Sequence, residues 1–297
     1  MAVDMNRGSD GIFLPSEISQ EIWQKVQDAS VVMGLARKVE LSGAGTVYHE
    51  VIGDSQPEFV GETERKPVSN PQVRNKVLTP HKIAVVQTYS DEFKRDLPGL
   101  FNALVGRLPG SLARTFDMAA LHGVGAPASN FDDLSGATEV SIANSTPGSD
   151  DAYGGFLNAL AAVPTLSAWA LSPQGEVTAL SNRDTSGSPI LNPNPLTNGS
   201  IGSVLGRPVF GSANAFEDGG VDGADTLGVA GDWSKAIWGQ VEAVSIDISG
   251  NPIYDSSGSL VTAGWQDNMI AVRAEFHVGF IVDDSAFVRL TGDESGS

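Results

Sequence analysis

The chain has 297 residues, with 18 Lys+Arg against 36 Asp+Glu, no Cys, 34 Gly and 16 Pro. That length suits one large domain or two modest ones with a buried core, the 41% hydrophobic content excludes a disordered chain, and the absence of Cys excludes a disulfide scaffold, a Cys-ligated zinc site and a Cys nucleophile. The net charge of −18 argues against a sequence-specific nucleic-acid reader, and it is uneven: residues 1–114 carry −1, residues 115–297 carry −17, and no Lys or Arg lies between Arg114 and Arg183.

No apolar run reaches the roughly 18 residues that a membrane helix needs, and the first fifteen residues lack the basic start and apolar run of a signal peptide. The first predicted element is a helix from Ser16, a plausible N-cap, with Ile18, Ile22 and Val26 recurring every four residues. Ser30 and Gly34 loosen it. Thr46–Ile52 and Val77–Tyr89 are rich in Val, Ile, Thr and Tyr and read as strands. Between them, Gly61 to Pro71 is charged and nearly free of apolar residues, so it has no core of its own. The simplest arrangement is a long antiparallel hairpin projecting from the body. Its charged residues are Glu62, Glu64, Arg65, Lys66, Arg74 and Lys76, all placed at the tip. The arms are too long for an ordinary turn, and an isolated hairpin is marginal in water. That favours contact with a neighbouring subunit over a merely solubilising loop, with charges of both signs setting register.

Ser90 and Asp91 cap a short helical turn. Leu108, Leu112, Phe116 and Ala119/Ala120 form a helical apolar stripe that begins at Pro109 and stops at His122-Gly123. Residues 123–150 offer only a short strand at Val140 and Ile142. A second unit starts at Asp151, with a helix over Tyr153–Val163, a strand over Leu166–Leu171 and a helix from Ser172-Pro173 with Val177 and Leu180 on one face. Residues 184–203 read as loop, and Leu227–Gly231, Ala236–Val244, Met269–Ile281 and Ala286–Leu290 read as strands. The irregular mixture of strands and helices favours α+β.

Catalytic signatures are missing. His49, His81, His122 and His277 show no metal-ligand spacing and read as structural. There is no nucleophile elbow and no P-loop. Asp218, Asp222 and Asp225 form the best divalent-cation candidate in the acidic 217–225 loop, but without EF-hand spacing the loop reads as solvated and no metal is expected. The adjacent pairs Asp132/Asp133 and Asp283/Asp284 raise a carbohydrate-active or carbohydrate-binding alternative. Adjacent carboxylates more often form a turn, and a glycosidase pair must face across a cleft.

In this order the features resemble the major capsid proteins of tailed double-stranded-DNA bacteriophages, of the Hong Kong ninety-seven type. The resemblance rests on LPSEISQEIWQKV at Leu14–Val26, Val39-Glu40-Leu41, the charged hairpin, the 98–122 helix, the start of the 151–163 helix, Trp169–Pro173, Gly187–Ile190, Leu205-Gly206-Arg207-Pro208-Val209, Gly231-Asp232-Trp233-Ser234, and the closing strands from Ala271 to Phe276 and Ala286 to Val288. It implies a phage major capsid fold with an N-terminal arm (1–40), an E-loop hairpin (41–90), a P-domain with a long spine helix (91–150 and 262–297) and an A-domain (151–261). Gly206, Pro208, Gly231, Asp232 and Trp233 would be structural turn residues.

The implied protein is not an enzyme and needs no cofactor. It is a shell subunit that assembles with itself into hexamers and pentamers around packaged double-stranded DNA, without sequence-specific binding. A portal and possible scaffolding and decoration proteins would be its other partners, with assembly in the host cytoplasm, residence in the virion and no membrane. An encapsulin-like nanocompartment shell is the alternative on the same fold. Some relatives crosslink a hairpin Lys to a neighbour's Asn with help from a Glu. Lys66 or Lys76, Asn268 and Glu275 are the nearest candidates, but their spacing supports no specific triple. The short stretch before Leu14 implies a mature subunit, a separate scaffold or none.

Overall fold

The computed structural model describes residues 26, 29–43, 45–52, 57–62, 65–68, 72–96, 105–142, 152–181, 191–193, 200–220, 223–241, 244–255 and 257–294. The helix expected from Ser16 lies outside these residues except for Val26, which is buried. In chain order the described elements are α1 (Val31–Leu35), β1 (Arg37–Glu40), β2 (Thr46–Ile52), β3 (Gln72–Leu78), β4 (His81–Ser90), α2 (Asp91–Asp96), α3 (Leu108–His122), β5 (Thr138–Ser141), α4 (Ala152–Ala162), β6 (Ala168–Leu171), α5 (Pro173–Ser181), β7 (Leu191–Pro193), β8 (Gly202–Val204), β9 (Arg207–Gly211), β10 (Ala224–Gly231), β11 (Ala236–Gln240), β12 (Ser245–Ser249), β13 (Ile253–Tyr254), β14 (Leu260–Thr262), β15 (Met269–Val282) and β16 (Phe287–Glu294).

Two sheets organise the body. In the first, β11 and β12 pair with successive stretches of one edge of β15, β1 lies outside β11, and β4 pairs along the other edge of β15. The second has the order β5-β16-β10-β6-β9-β8-β7. α3 packs its Leu112 and Phe116 stripe against the first sheet, where Phe116 meets Phe280 edge-on at 6.0 Å. Pro109 sits in its first turn, and left-handed Gly123 ends it by donating to Ala119 O. A second core gathers α4, α5 and the second sheet around Trp169, Phe156, Val209 and Leu290. Trp169 lies edge-on to Phe156 at 5.2 Å and donates its indole N–H to Val204 O.

The two sheets exchange strands at a single junction. β10 leaves the second sheet through a turn at Trp233–Lys235 and becomes β11 of the first. β15 leaves the first sheet through a turn at Asp284–Ala286 and becomes β16 of the second. The turns abut: Asp232 N donates to Ala286 O at 3.0 Å. Asp232 caps its turn through Ser234 N. Trp233 is buried edge-on to Phe287 at 5.2 Å and donates to Ala168 O at 3.2 Å. Gly231 is required by approach rather than by dihedral angle, because a Cβ there would stand 2.6 Å from Ala286 O and 2.3 Å from Phe287 Cδ1.

Several expectations need correction. The strand expected over Val77–Tyr89 is two strands broken at Thr79-Pro80. β3 belongs to the hairpin, whereas β4 runs in the first sheet, from Met269↔Ser90 to Val278↔His81. The hairpin therefore ends near Leu78. The crossovers also carry the pairing over the expected domain boundaries. β11 and β12 join the first sheet although they fall within 151–261, and β5 and β16 join the second. Part of the expected 184–203 loop is strand β7, and β12 to β14 were not foreseen. On α5 the buried residues are Gly175 and Ala179, while Val177 and Leu180 face outward.

Because Trp233 fills the junction, Trp233→Ala is expected to cost about 3–5 kcal/mol of stability. Urea unfolding of the soluble subunit measures it, and a loss within about 0.5 kcal/mol would contradict the role assigned to the junction.

Candidate assembly interface

The hairpin is built from the root outward. β2 and β3 pair in register from Thr46↔Leu78 to Ile52↔Gln72, arms of about 24 Å at ~3.4 Å per residue. Leu78 is buried with Leu41 and Ile281, and half-buried Tyr48 packs on them. Lys76 Nζ donates to Asp132 Oδ2 at 2.7 Å and to Val282 O, and Val282 N donates to the same carboxylate oxygen at 3.1 Å. His49 Nδ1 and Asn75 Oδ1 meet across the arms at 2.6 Å. The root is thus fastened by apolar burial and an ion pair, while among the described tip residues Phe59 is fully exposed and Val68 is 88% exposed.

The six charged residues assigned to the tip divide. Glu62, Arg65 and Lys66 lie there, exposed. Glu64 lies outside the described residues. Arg74 and Lys76 belong to β3, with exposed Arg74 opposite Glu50 and Lys76 opposite Tyr48 near the root. Lys76 is bound to its own subunit and does not act at the tip. The position was misjudged because β3 begins at Gln72, earlier than its β-branched composition indicates.

The turn residues sit where their chemistry requires. Leu205 and Gly206 are both left-handed, with φ of 49° and 76°, and close the two-residue hairpin between β8 and β9. Pro208 precedes Val209, where pairing with β6 starts, so no ladder donor is lost there. Gly231, Asp232 and Trp233 form the junction.

Two further apolar surfaces are exposed. Tyr254, Leu260, Val261 and Trp265 lie on and beyond the small β13–β14 hairpin, with Trp265 85% exposed; no Lys or Arg occurs between Lys235 and Arg273. Leu157, Val177 and Leu180 are exposed on α4 and α5. The outer face of the first sheet is instead polar. There Lys82 meets Glu275 at 3.4 Å and Arg273 meets Asp247 at 2.6 Å, so Glu275 already has cationic partners. Asn268 is left-handed and its carbonyl accepts from Asp91 N.

Carboxylates raised as catalytic or metal-binding candidates hold local structure. Asp132 serves the hairpin root, Asp133 accepts from Ser135 N, and Asp283 accepts from Ser285 Oγ. Asp218 and Asp225 accept loop amides, at Gly220 and Gly219. Asp222 lies outside the described residues. Among the described residues no group of three or more His, Asp or Glu is placed to hold a metal ion, and no helix is long and apolar enough to cross a membrane.

A buried polar seam escaped the sequence reading. Glu217 turns inward to Arg289 at 2.9 Å, and Arg289 also reaches Glu139 at 3.2 Å. His122 of α3 meets Asn214 O through Nε2 at 3.1 Å, and its Nδ1 stands 3.2 Å from Glu217. Burial pushes this imidazole below its usual range, against the pull of the Asn214 carbonyl and of Glu217. Asn214 also donates to Asp117 on α3 at 2.8 Å. The only visible signal was an Asp inside the apolar stripe of a helix.

Among the described residues the body brings no metal-binding group together, while it presents a rooted hairpin with exposed Phe59 and Val68 and further exposed apolar patches. The profile of the phage capsid family matches residues 10–292. The chain belongs to that family. It is 28% identical over 301 residues to the probable major capsid protein gp17 of Mycobacterium phage D29, covering 96% of this chain and 91% of that one. Against the gp17 protein of Mycobacterium phage L5 it is 27% identical, covering 94% and 89%. The fold also matches a chain from Mycobacterium phage Bobi (TM-score 0.71, 17% identity, 99% and 95% covered) and one from the capsid of a native GTA particle (TM-score 0.63, 13% identity, 98% and 95% covered). This is a major capsid protein of the virion shell, a structural protein and not an enzyme. The carbohydrate-active alternative is withdrawn on that membership.

Lys76→Ala removes the charged fastening of the root. Because both partners are part-exposed, the expected loss of stability is only about 1 kcal/mol. Amide exchange over Thr46–Ile52 and Gln72–Leu78 should quicken while β15 stays protected. Unchanged exchange in the arms would contradict the fastening.

Proposed function

We propose that this subunit forms hexamers and pentamers that close into an icosahedral shell around a double-stranded DNA genome, and that its hairpin tip is a contact between subunits. The observation that carries the reading is the contrast along the hairpin. Its root is buried and ion-paired, whereas Phe59, Val60 and Val68 at the far end are exposed beside Arg65 and Lys66. A rigid lever with an apolar tip needs a surface to cover it, and identical neighbours supply one through heterologous contacts that close by rotation. The patch at Tyr254, Leu260, Val261 and Trp265 suits that tip, since it is apolar and the stretch 236–272 that carries it holds acids and no Lys or Arg.

In domain terms, residues 1–40 form the N-terminal arm and 41–78 the E-loop hairpin. The first sheet with α3, the spine helix, forms the P-domain. The second sheet with α4 and α5 forms the A-domain, whose exposed Leu157, Val177 and Leu180 face neighbours around the symmetry axis. A portal and, where used, scaffolding and decoration proteins complete the particle, assembled in the host cytoplasm. The wall contacts DNA without reading it. A net charge of −18 gives no counterion-release drive for tight binding, which suits a container whose contents must leave.

Wild-type protein should scatter light as megadalton particles containing nuclease-resistant DNA when taken from infected cells. Particles filled with protein and free of DNA would favour a nanocompartment shell instead. The double variant Phe59→Asp, Val68→Asp should keep its circular dichroism spectrum and fail to form particles, whereas assembly at the wild-type level would remove the tip from the interface.

A further inference from the structure

Asp117 lies in the middle of α3 with no exposed surface. Four donors from two other segments converge on its carboxylate. Ser30 Oγ (2.5 Å), Val31 N (3.1 Å) and Val32 N (3.4 Å) come from the start of α1, and Asn214 Nδ2 (2.8 Å) comes from the turn at Ala213–Ala215. Asn214 Nδ2 also reaches Ala29 O at 3.4 Å, so the two segments are tied to each other as well as to α3. Among the described residues no Lys, Arg or His forms an ion pair with this carboxylate. Val31–Leu35 carry no charge, and Arg37 and Lys38 beyond them are exposed. On α3, Arg114 is exposed. Behind Asn214, His122 bonds the backbone carbonyl and faces Glu217, which Arg289 neutralises.

We propose that Asp117 is a proton-linked clasp: seating residues 29–35 on α3 and on the 213–215 turn takes up a proton, so acid tightens this attachment and neutral pH loosens it. The physical cause is a carboxylate with no exposed surface and, among the described residues, no cationic partner. Hydrogen bonds compensate its lost hydration only in part. Burial outweighs the four hydrogen bonds and pushes the carboxyl up to about 6, from 3.8 for the hydrated group. The protonated form fits the same pocket. Ser30 Oγ both donates and accepts, already accepting from Met33 N, so its bond to Asp117 survives by reversing direction.

The sign follows from linkage. The closed clasp binds its proton more tightly than the opened, hydrated one. Its extra stability is complete below pH 3.8, falls about tenfold in the closing equilibrium per pH unit between 3.8 and about 6, and is gone above that. No other part of the assembly reading is needed for this.

Amide exchange measured by mass spectrometry on the purified full-length protein tests it, corrected for intrinsic rates and referenced to β15. For wild type, protection over residues 29–35 should fall on the order of tenfold between about pH 4.5 and about pH 6.5. In Asp117→Asn that dependence should vanish. Asn214→Ala removes one donor to the carboxylate and should move the midpoint to higher pH, a readout that stands even if Asp117→Asn fails to fold. A wild-type profile retained in Asp117→Asn, protection that rises with pH, or a midpoint in Asn214→Ala that stays or falls would overturn the clasp.

Discussion

The close approach of Gly231 to Phe287, with the Asp232 N to Ala286 O hydrogen bond beside it, is the constraint on which the rest of the molecule depends. Two polypeptide connections pass between the sheets at this one place, and each braces the other. β10 and β16 pair up to Gly231↔Phe287, and β11 and β15 resume pairing at Ala236↔Val282. The sheets are therefore two ends of one twisted strand pair, locked by buried Trp233, rather than two domains on a linker. A shell subunit must carry load between neighbours on all sides, and a body without a hinge suits that work.

Other attachments are mounted on this body through polar groups at low exposure. Lys76 fastens the hairpin to Asp132 and Val282, immediately before β15 turns toward the junction. Asp117, Asn214 and His122 fasten α3 to the chain's early segment and to the second sheet. Apolar packing fixes where these parts lie. The polar contacts fix their register, because a buried donor or acceptor left unmatched is costly.

Much of this was legible from local pattern. α3 follows from its stripe and from Gly123, and β15 from strict alternation over Ile270, Val272, Ala274, Phe276, Val278 and Phe280. The Gly-Asp-Trp-Ser and Leu-Gly-Arg-Pro-Val turns each require particular residues. Partner choice was not legible. Val77–Tyr89 has uniform β composition, and nothing local indicates that its first residues pair with β2 and the remainder with β15. The domain boundaries followed sequence order, whereas pairing followed the crossovers. Charge misled in the same way: Lys76 and Lys66 look alike in sequence, yet one is rooted in the body and the other is exposed at the tip. Val177 and Leu180 show the converse, apolar residues that face outward on an outer helix.

The charge asymmetry along the chain takes on a physical meaning in this arrangement. The nearly neutral first 114 residues contain the hairpin and α1 to the start of α3, and the proposed tip contact draws on both signs there. The strongly acidic remainder forms most of the two sheets and their loops. Electron cryomicroscopy of the assembled particle, comparing subunits in different symmetry environments, tests the central claim most directly. The account predicts that both sheets and the Gly231–Phe287 junction superimpose from subunit to subunit, with differences confined to the hairpin and the segment before residue 30. A rotation of one sheet against the other about Asp232 and Asp283 would contradict it.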